Sequence, residues 1–299
     1  EAYRQHLTRF VYQTGMFMRP VFGAAKLATK KRVAYAEGED DRALRAAQLA
    51  VDEGLARPIL IGRPSVIEAR IKKAGLHLRL DVDADVVDPE NDARFRQYWE
   101  AYHKLMGRRG ITPEASKAMV RRSNTTIAAL MVHLGDADAM LCGLVGRFDS
   151  HLKILNQLLG VQRGAPGFAT MNALTLEKYT LFIADTSVHE DPTAEQLAHI
   201  ALMASEEVRR FGLPPKVAFL SHSNFGTSER SSARKMRIAR DLFAKLAPDV
   251  ECDGEMQGDS ALSEDIRRQS LPTSTLTGEA NLLICPNLDA ANILFNVLK

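Results

Sequence analysis

The residues whose types and spacing could do chemistry are densest from Ser221 to Ser228, which read Ser-His-Ser-Asn-Phe-Gly-Thr-Ser. They follow the apolar run KVAFL and precede a segment with helical spacing, so small hydroxyl side chains and a glycine sit where a buried strand gives way to a helix start. Backbone N–H groups in such a turn point at an anion. Downstream, Arg230, Arg234, Lys235, Arg237 and Arg240 recur at helical spacing and carry enough charge to hold a phosphate on one face. A solvated helix surface is the plainer reading of any one of them.

A second loop repeats the plan, with Gly143-Leu144-Val145-Gly146-Arg147-Phe148-Asp149-Ser150-His151 ending a strand in small residues and opening a helix. One glycine pair after a strand says little; a pair of such loops in successive units says more.

Acidic candidates are Glu37, Glu39, Asp40 and Asp41, then Asp185 and Asp191, then Asp253, Glu255 and Asp259 in CDGEMQGD. Paired carboxylates can bind a metal or move a proton, but the chain has neither an HExxH pair nor an Asp-rich calcium loop, and no metal site is expected. Of the eight histidines only His151, His189 and His222 lie in these loops, and hydrogen-bonded loop residues are the simpler assignment for them.

The elements that must position these residues alternate. Residues 1–28 read as one or two short linker helices, with Leu7, Phe10, Val11 and Thr14 on one face. From Lys31 come strand KRVAYAEG, helix DDRALRAAQLAVDEG and strand PILIG, which imply a parallel crossover unit. Helices follow at PSVIEARIKKAG, NDARFRQYWEAYHKLMGRR and TPEASKAMVRRSNTTIAALMVHLG, then strand ADAMLCGLVG. Beyond helix RFDSHLKILNQLLG the second half carries strands TLFIADTSV, KVAFLSH and NLLICPN. Its helices begin at Thr193 (a capping box with Gln196) and at SERSSARKMRIARDLFAKLAP, DSALSEDIRRQSL and AANILFNVLK.

With 299 residues and 45% hydrophobic content the chain exceeds what one core comfortably serves, so two α/β lobes with mainly parallel sheets are expected. They are 29–145, with the C-terminal helix 290–299 returning towards it, and 146–289, facing each other across a cleft of the kind that binds ligands at strand carboxyl ends. Thirty-nine Lys and Arg against thirty-seven Asp and Glu leave a net charge of +2, no field for nucleic acid or an anionic membrane. Cys142, Cys252 and Cys285, without CxxC spacing, read as thiols of a reducing cytosol. Without a span of about 20 apolar residues or a signal-like start, a cytoplasmic location is expected. The absence of an initial Met suggests that more chain precedes.

From Arg32 onward the blocks AEGEDDRALRAAQLAVDEGLARPILIG, DPTAEQLAHIAL, KVAFLSHSNFG, DGEMQGDSAL and NLLICPNLDAAN resemble the phosphate acetyl/butyryltransferase family, whose architecture is related to that of isocitrate dehydrogenase. DPENDARFRQYW, LMGRRG, VGRFDSHL and SHSNFG resemble one branch more closely, the acetyltransferase-like C-terminal half of large bacterial-type NADP-dependent malic enzymes. The resemblance implies a regulatory domain that binds acetyl-CoA as effector and forms a homo-oligomer, a dimer of this domain. It implies no cofactor of its own, and malate oxidation with NADP and a divalent metal in an N-terminal partner half. The acetyl-CoA site would use Gly146, Arg147 and Ser150 from one loop and Ser221, Ser223, Asn224 and Gly226 from the other, with Arg230, Asn287 and Asn292.

The alternatives are an active phosphate acetyltransferase and a purely structural dimerisation domain. Against the first, Arg147, Phe148, His222, Asn224 and Phe225 are bulkier than the family's residues in these loops, and the family's Ser-Arg pair and following Asp would fall beyond Lys299. No residue in the chain is therefore assigned a catalytic role.

Overall fold

The computed structural model describes residues 2–176 and 179–299, with side chains of the first helix described from residue 15, so the stripe of Leu7, Phe10, Val11 and Thr14 lies outside the described residues. Two compact units emerge: Phe22–Gln162, and Glu1–Val21 together with Arg163–Lys299. Helix α1 (Ala2–Leu27) runs through the division as one helix, with Pro20 inside it.

In the first unit the order is β1 (Lys31–Tyr35), α2 (Asp41–Asp52), β2 (Ala56–Ile61), α3 (Pro64–Lys73), β3 (Asp85–Val87), α4 (Phe95–Met106), α5 (Pro113–Arg122), α6 (Asn124–Leu134), β4 (Ala139–Leu141) and α7 (Phe148–Leu158). The four strands form a wholly parallel sheet in the order β3-β2-β1-β4. Side chains alternate across its faces, as the two-residue period of a strand requires. Ala34, Ile59 and Ile61 pack with Tyr98, Ile127 and Leu130, whereas Tyr35 and Leu60 pack with Leu44 and Ile67.

The apolar stripe across 112–135 predicts one helix, but the structure breaks it at Ser123. That residue leaves the helical region (φ −129°, ψ 99°) and its hydroxyl accepts from Thr126 N at 3.1 Å, a cap the helix interior could not use. Ser263 splits the expected helix DSALSEDIRRQSL in the same way.

The second unit runs β5 (Met171–Thr175), β6 (Thr180–Ala184), α8 (Ala194–Arg210), β7 (Lys216–Leu220), α9 (Ser231–Leu246), β8 (Glu251–Met256), α10 (Gly258–Leu262), α11 (Glu264–Ser270), β9 (Leu282–Ile284) and α12 (Leu288–Leu298). Its sheet has the order β5-β6-β9-β7-β8, parallel except for β5 against β6. Thr193 and Gln196 form the capping box read from the sequence. Leu197, Ile200, Ala204 and Val208 bury the face of α8 against Phe182 and Phe219, and Phe17 of α1 stacks on Phe211 at 4.6 Å.

The unit boundaries differ from the expected lobes. The helix 148–158 lies within the first unit because Ile154, Leu155 and Leu158 pack on its core, and α12 lies within the second because Ala291, Leu294 and Phe295 pack against β6 and β9 residues. Strands β3, β5 and β8 are absent from the sequence reading; β8, ECDGEM, is too polar to announce itself.

Candidate functional site

The loop after β7 does cradle an anion, and the anion is the chain's own. Glu255 on β8 is fully buried, and its Oε1 accepts from the Ser223 hydroxyl at 2.9 Å and from Gly226 N at 2.8 Å. The Arg237 guanidinium donates to both carboxylate oxygens, at 3.0 and 3.2 Å. Burial alone would raise the Glu255 carboxyl, yet the Arg237, Gly226 and Ser223 donors hold it below the ordinary glutamate value. Gly226, at φ +91°, adopts a backbone that side-chain-bearing residues disfavour. Asn224 is also occupied: its Oδ1 accepts from Gln257 N at 2.8 Å and its Nδ2 donates to Gln257 Oε1 at 3.2 Å. Ser223, Asn224 and Gly226, expected to face a ligand, therefore build the loop.

Beside this loop a cavity of about 660 Å³ opens at the carboxyl ends of β7 and β9, where open α/β sheets place ligands. Ser221 and His222 line it from the loop after β7, Gly258 from α10, Cys285, Pro286 and Asn287 from just past β9, and Ser231, Ser232 and Lys235 from the first turns of α9. Asp191, from the loop before α8, closes one side, and Leu220, Ala290 and Leu294 supply an apolar wall.

The spacing of Ser231, Ser232 and Lys235 brings them to one face of α9. That helix starts without a side-chain cap and without an acidic residue in its first turn, which leaves its amino end favourable to an anion. Lys235 Nζ donates to Asp191 Oδ1 at 2.5 Å and to the Pro286 carbonyl at 2.8 Å. Burial pushes the Cys285 thiol up to about 12, so it offers the cavity an inert wall.

Of the remaining expected residues, Ser221 and Asn287 line the cavity, the latter while capping α12 through Ala290 N at 2.9 Å. Arg230 is the exposed N-cap of α9, and Asn292 donates to the Thr186 carbonyl at 3.2 Å. Gly146, Arg147 and Ser150 lie in the first unit and are exposed. Their loop answers its own polar groups. Gly143 N donates to Glu37 Oε1 at 3.0 Å, and His151 Nε2 donates to the Val145 carbonyl at 2.8 Å, which leaves Nδ1 to meet the Thr125 hydroxyl at 2.9 Å.

The sequence reading left out Ser231 and Ser232, took Lys235 only as one of five basic residues able to hold a phosphate, and noted Asp191 only as a carboxylate near the capping box. Two hydroxyls in an uncapped first turn, followed by a lysine one turn on, are the signal that could have found them. Asp185 and Asp253 are structural: Asp185 accepts from the amides of Thr170, Ser187, Val188 and His189 and from His189 Nδ1, and Asp253 accepts from Ser274 Oγ at 2.6 Å and Thr275 N at 3.1 Å. Among the described residues no group of three or more His, Cys, Asp or Glu is placed to hold a metal ion, and no helix is long and apolar enough to cross a membrane.

The sequence profile of the phosphate acetyl/butaryl transferase family matches residues 16–299. The chain belongs to this family. Among its relatives the NAD-dependent malic enzyme of Rhizobium meliloti (strain 1021) is 51% identical over 299 residues, all of this chain and 39% of that protein. The NADP-dependent malic enzyme of Salmonella typhimurium is 50% identical over the same share of each. The chain thus spans well under half the length of these relatives and corresponds to their C-terminal, phosphate acetyltransferase-like part. The phosphate acetyltransferase of Clostridium acetobutylicum is 32% identical over 281 residues, 90% of this chain and 82% of that one. A phosphotransacetylase structure from Streptococcus pyogenes superposes with a TM-score of 0.81 at 28% identity, covering 94% of this chain and 85% of the other. EutD phosphotransacetylase from Staphylococcus aureus, at 20% identity and a TM-score of 0.83 over 95% of this chain and 86% of that one, shares the fold.

Proposed function

We propose that this chain is the regulatory, acetyl-CoA-binding and oligomerisation domain of a malic enzyme, in which the oxidative decarboxylation of malate to pyruvate is carried by a separate N-terminal half. That half would hold the nicotinamide nucleotide and a divalent metal. NADP was the expectation, but the relatives' names divide between NAD and NADP, so the nucleotide of this protein's parent is better written NAD(P).

The observation that carries the reading is the cavity of about 660 Å³ in the second unit. It is within the size range of small-ligand sites, with hydroxyls and Lys235 on one wall and Leu220, Ala290 and Leu294 on another. An acyl-CoA, with charged phosphates at one end and an apolar thioester arm at the other, has this polarity. Binding without turnover is favoured by the neighbouring loop, whose donors are engaged by Glu255 and so are not free to stabilise a reacting group.

A ligand that prefers one arrangement of a protein shifts it by its differential affinity and no more. The test is an assay of malate oxidation by the full-length parent across a range of acetyl-CoA concentrations, alongside an assay for acetyl-CoA formation from acetyl phosphate and CoA. Altered malate oxidation without acetyl transfer supports the reading. Acetyl transfer at enzymatic rates would establish the phosphate acetyltransferase instead, and indifference to acetyl-CoA would leave a structural domain.

A further inference from the structure

Two carboxylates of the second unit sit on cationic groups next to the cavity, and they differ in how firmly they are held. Glu255 is fully buried and held by the Ser223 hydroxyl, Gly226 N and the Arg237 fork. Asp191 has a side chain 78% exposed and meets Lys235 alone among its described hydrogen-bond partners, whereas Lys235 is only 20% exposed and is also fixed by the Pro286 carbonyl at 2.8 Å. If Asp191 swings away, Lys235 keeps its place on the cavity wall. Removing the carboxylate leaves an anchored ammonium beside the Ser231 and Ser232 hydroxyls at the uncapped start of α9.

We infer that Asp191 is an internal competitor for the anion subsite of this cavity. In this structure its carboxylate takes the position on Lys235 that a phosphate ester or anhydride of the ligand would occupy on binding. The inference rests on reading the cavity as a ligand site, and it adds a regulatory element: the ligand must displace a tethered carboxylate, so affinity is held down by the chain itself. Displacement would also free the loop between β6 and α8 from its tie to α9. An ion pair with one exposed partner is weak enough for this exchange, and its loss converts to a gain in anion affinity of about 2- to 5-fold.

The experiment is a double-mutant cycle read by calorimetry, with inorganic phosphate and pyrophosphate as bare-anion probes and acetyl-CoA in parallel, on wild type, Asp191→Asn, Lys235→Met and the double variant. Thermal unfolding of each variant verifies that it is folded. Competition predicts that Asp191→Asn binds pyrophosphate about 2- to 5-fold more tightly and that this gain disappears in the Lys235→Met background, because without the ammonium there is nothing to compete for. General charge repulsion would give the same gain with or without Lys235, and that result overturns the inference, as does an Asp191→Asn variant that binds no better than wild type or an absence of anion binding in both. Should the bare anions follow the cycle while acetyl-CoA fails to bind, the competitor stands and the acetyl-CoA reading falls.

Discussion

Gly226 N donates to Glu255 Oε1 at 2.8 Å, and this bond turns a loop that reads as a ligand cradle into a closed structural motif. Its donors face a carboxylate that arrives from the neighbouring strand. The cavity consequently lies one step away, between that loop and the amino ends of α9 and α12.

Replacing Glu255 with Gln keeps the shape and removes the charge, leaving Arg237 and the loop amides with a weaker acceptor. A loss of about 3 kcal/mol is expected in urea unfolding, as for other half-broken buried ion pairs. Ser223→Ala, which removes one neutral donor, should cost about 1 kcal/mol. Equal and negligible effects would mean that the motif does not organise the loop.

The same carboxylate sets an acid limit. The folded-state pKa of Glu255 lies below its ordinary value, so its contribution is complete above the unfolded-state pKa of about 4.3 and is lost as pH falls through the lower folded value. Asp185, also depressed although burial opposes it, through Thr170, His189 and Ser187, acts in the same direction. Thermal unfolding followed from pH 7 downward should show a plateau and then a decline below roughly pH 4. The decline should be shallower in Glu255→Gln; superimposable slopes would contradict the assignment.

Arg267 has no exposed surface, and its guanidinium donates to the carbonyls of Ser260, Leu276 and Gly278 at 2.9, 2.9 and 2.6 Å and to Ser274 Oγ at 3.1 Å. It therefore pins the segment between α11 and β9. Arg267→Met should destabilise by about 3 kcal/mol and raise amide exchange across residues 271–281 above that of α8. Unchanged exchange there would show that the segment is held by other contacts.

The thiols should separate by burial. Cys252 and Cys285 are buried, with pKa values pushed to about 11 and about 12, while Cys142, in the first unit just past the edge strand β4, is half-buried. A disulfide reagent at pH 8 should label Cys142 slowly in the native protein and the other two only on unfolding. Rapid native labelling of Cys285 would mean that the wall of the cavity opens.

The alternating order of strands and helices is readable because its signals are local: apolar runs such as KVAFL and TLFIA, and caps such as Thr193 with Gln196. Strand β8 is not readable. Its acidic residues are compensated by partners distant in sequence, Arg237 for Glu255 and Ser274 for Asp253, and no window of residues reveals such pairing. The breaks at Ser123 and Ser263 hide behind continuous apolar stripes. For the site, strand-end logic pointed to Ser221 and Asn287, and both line the cavity. It assigned Ser223 and Gly226 to a ligand because donor-rich loops look alike whether their anion is a substrate or a neighbouring side chain. Lys235 was one of five basic residues on α9, and only the packing of that helix tells the residue facing the cavity from those facing solvent or Glu255.

The central claim, that the second unit holds acetyl-CoA in the cavity beside α9, is tested most directly by calorimetric titration of acetyl-CoA into wild type and Lys235→Met. The account predicts saturable binding to wild type, weakened about tenfold or more when the charged donor is lost. No heat at millimolar ligand, or equal affinity in the two proteins, would contradict it.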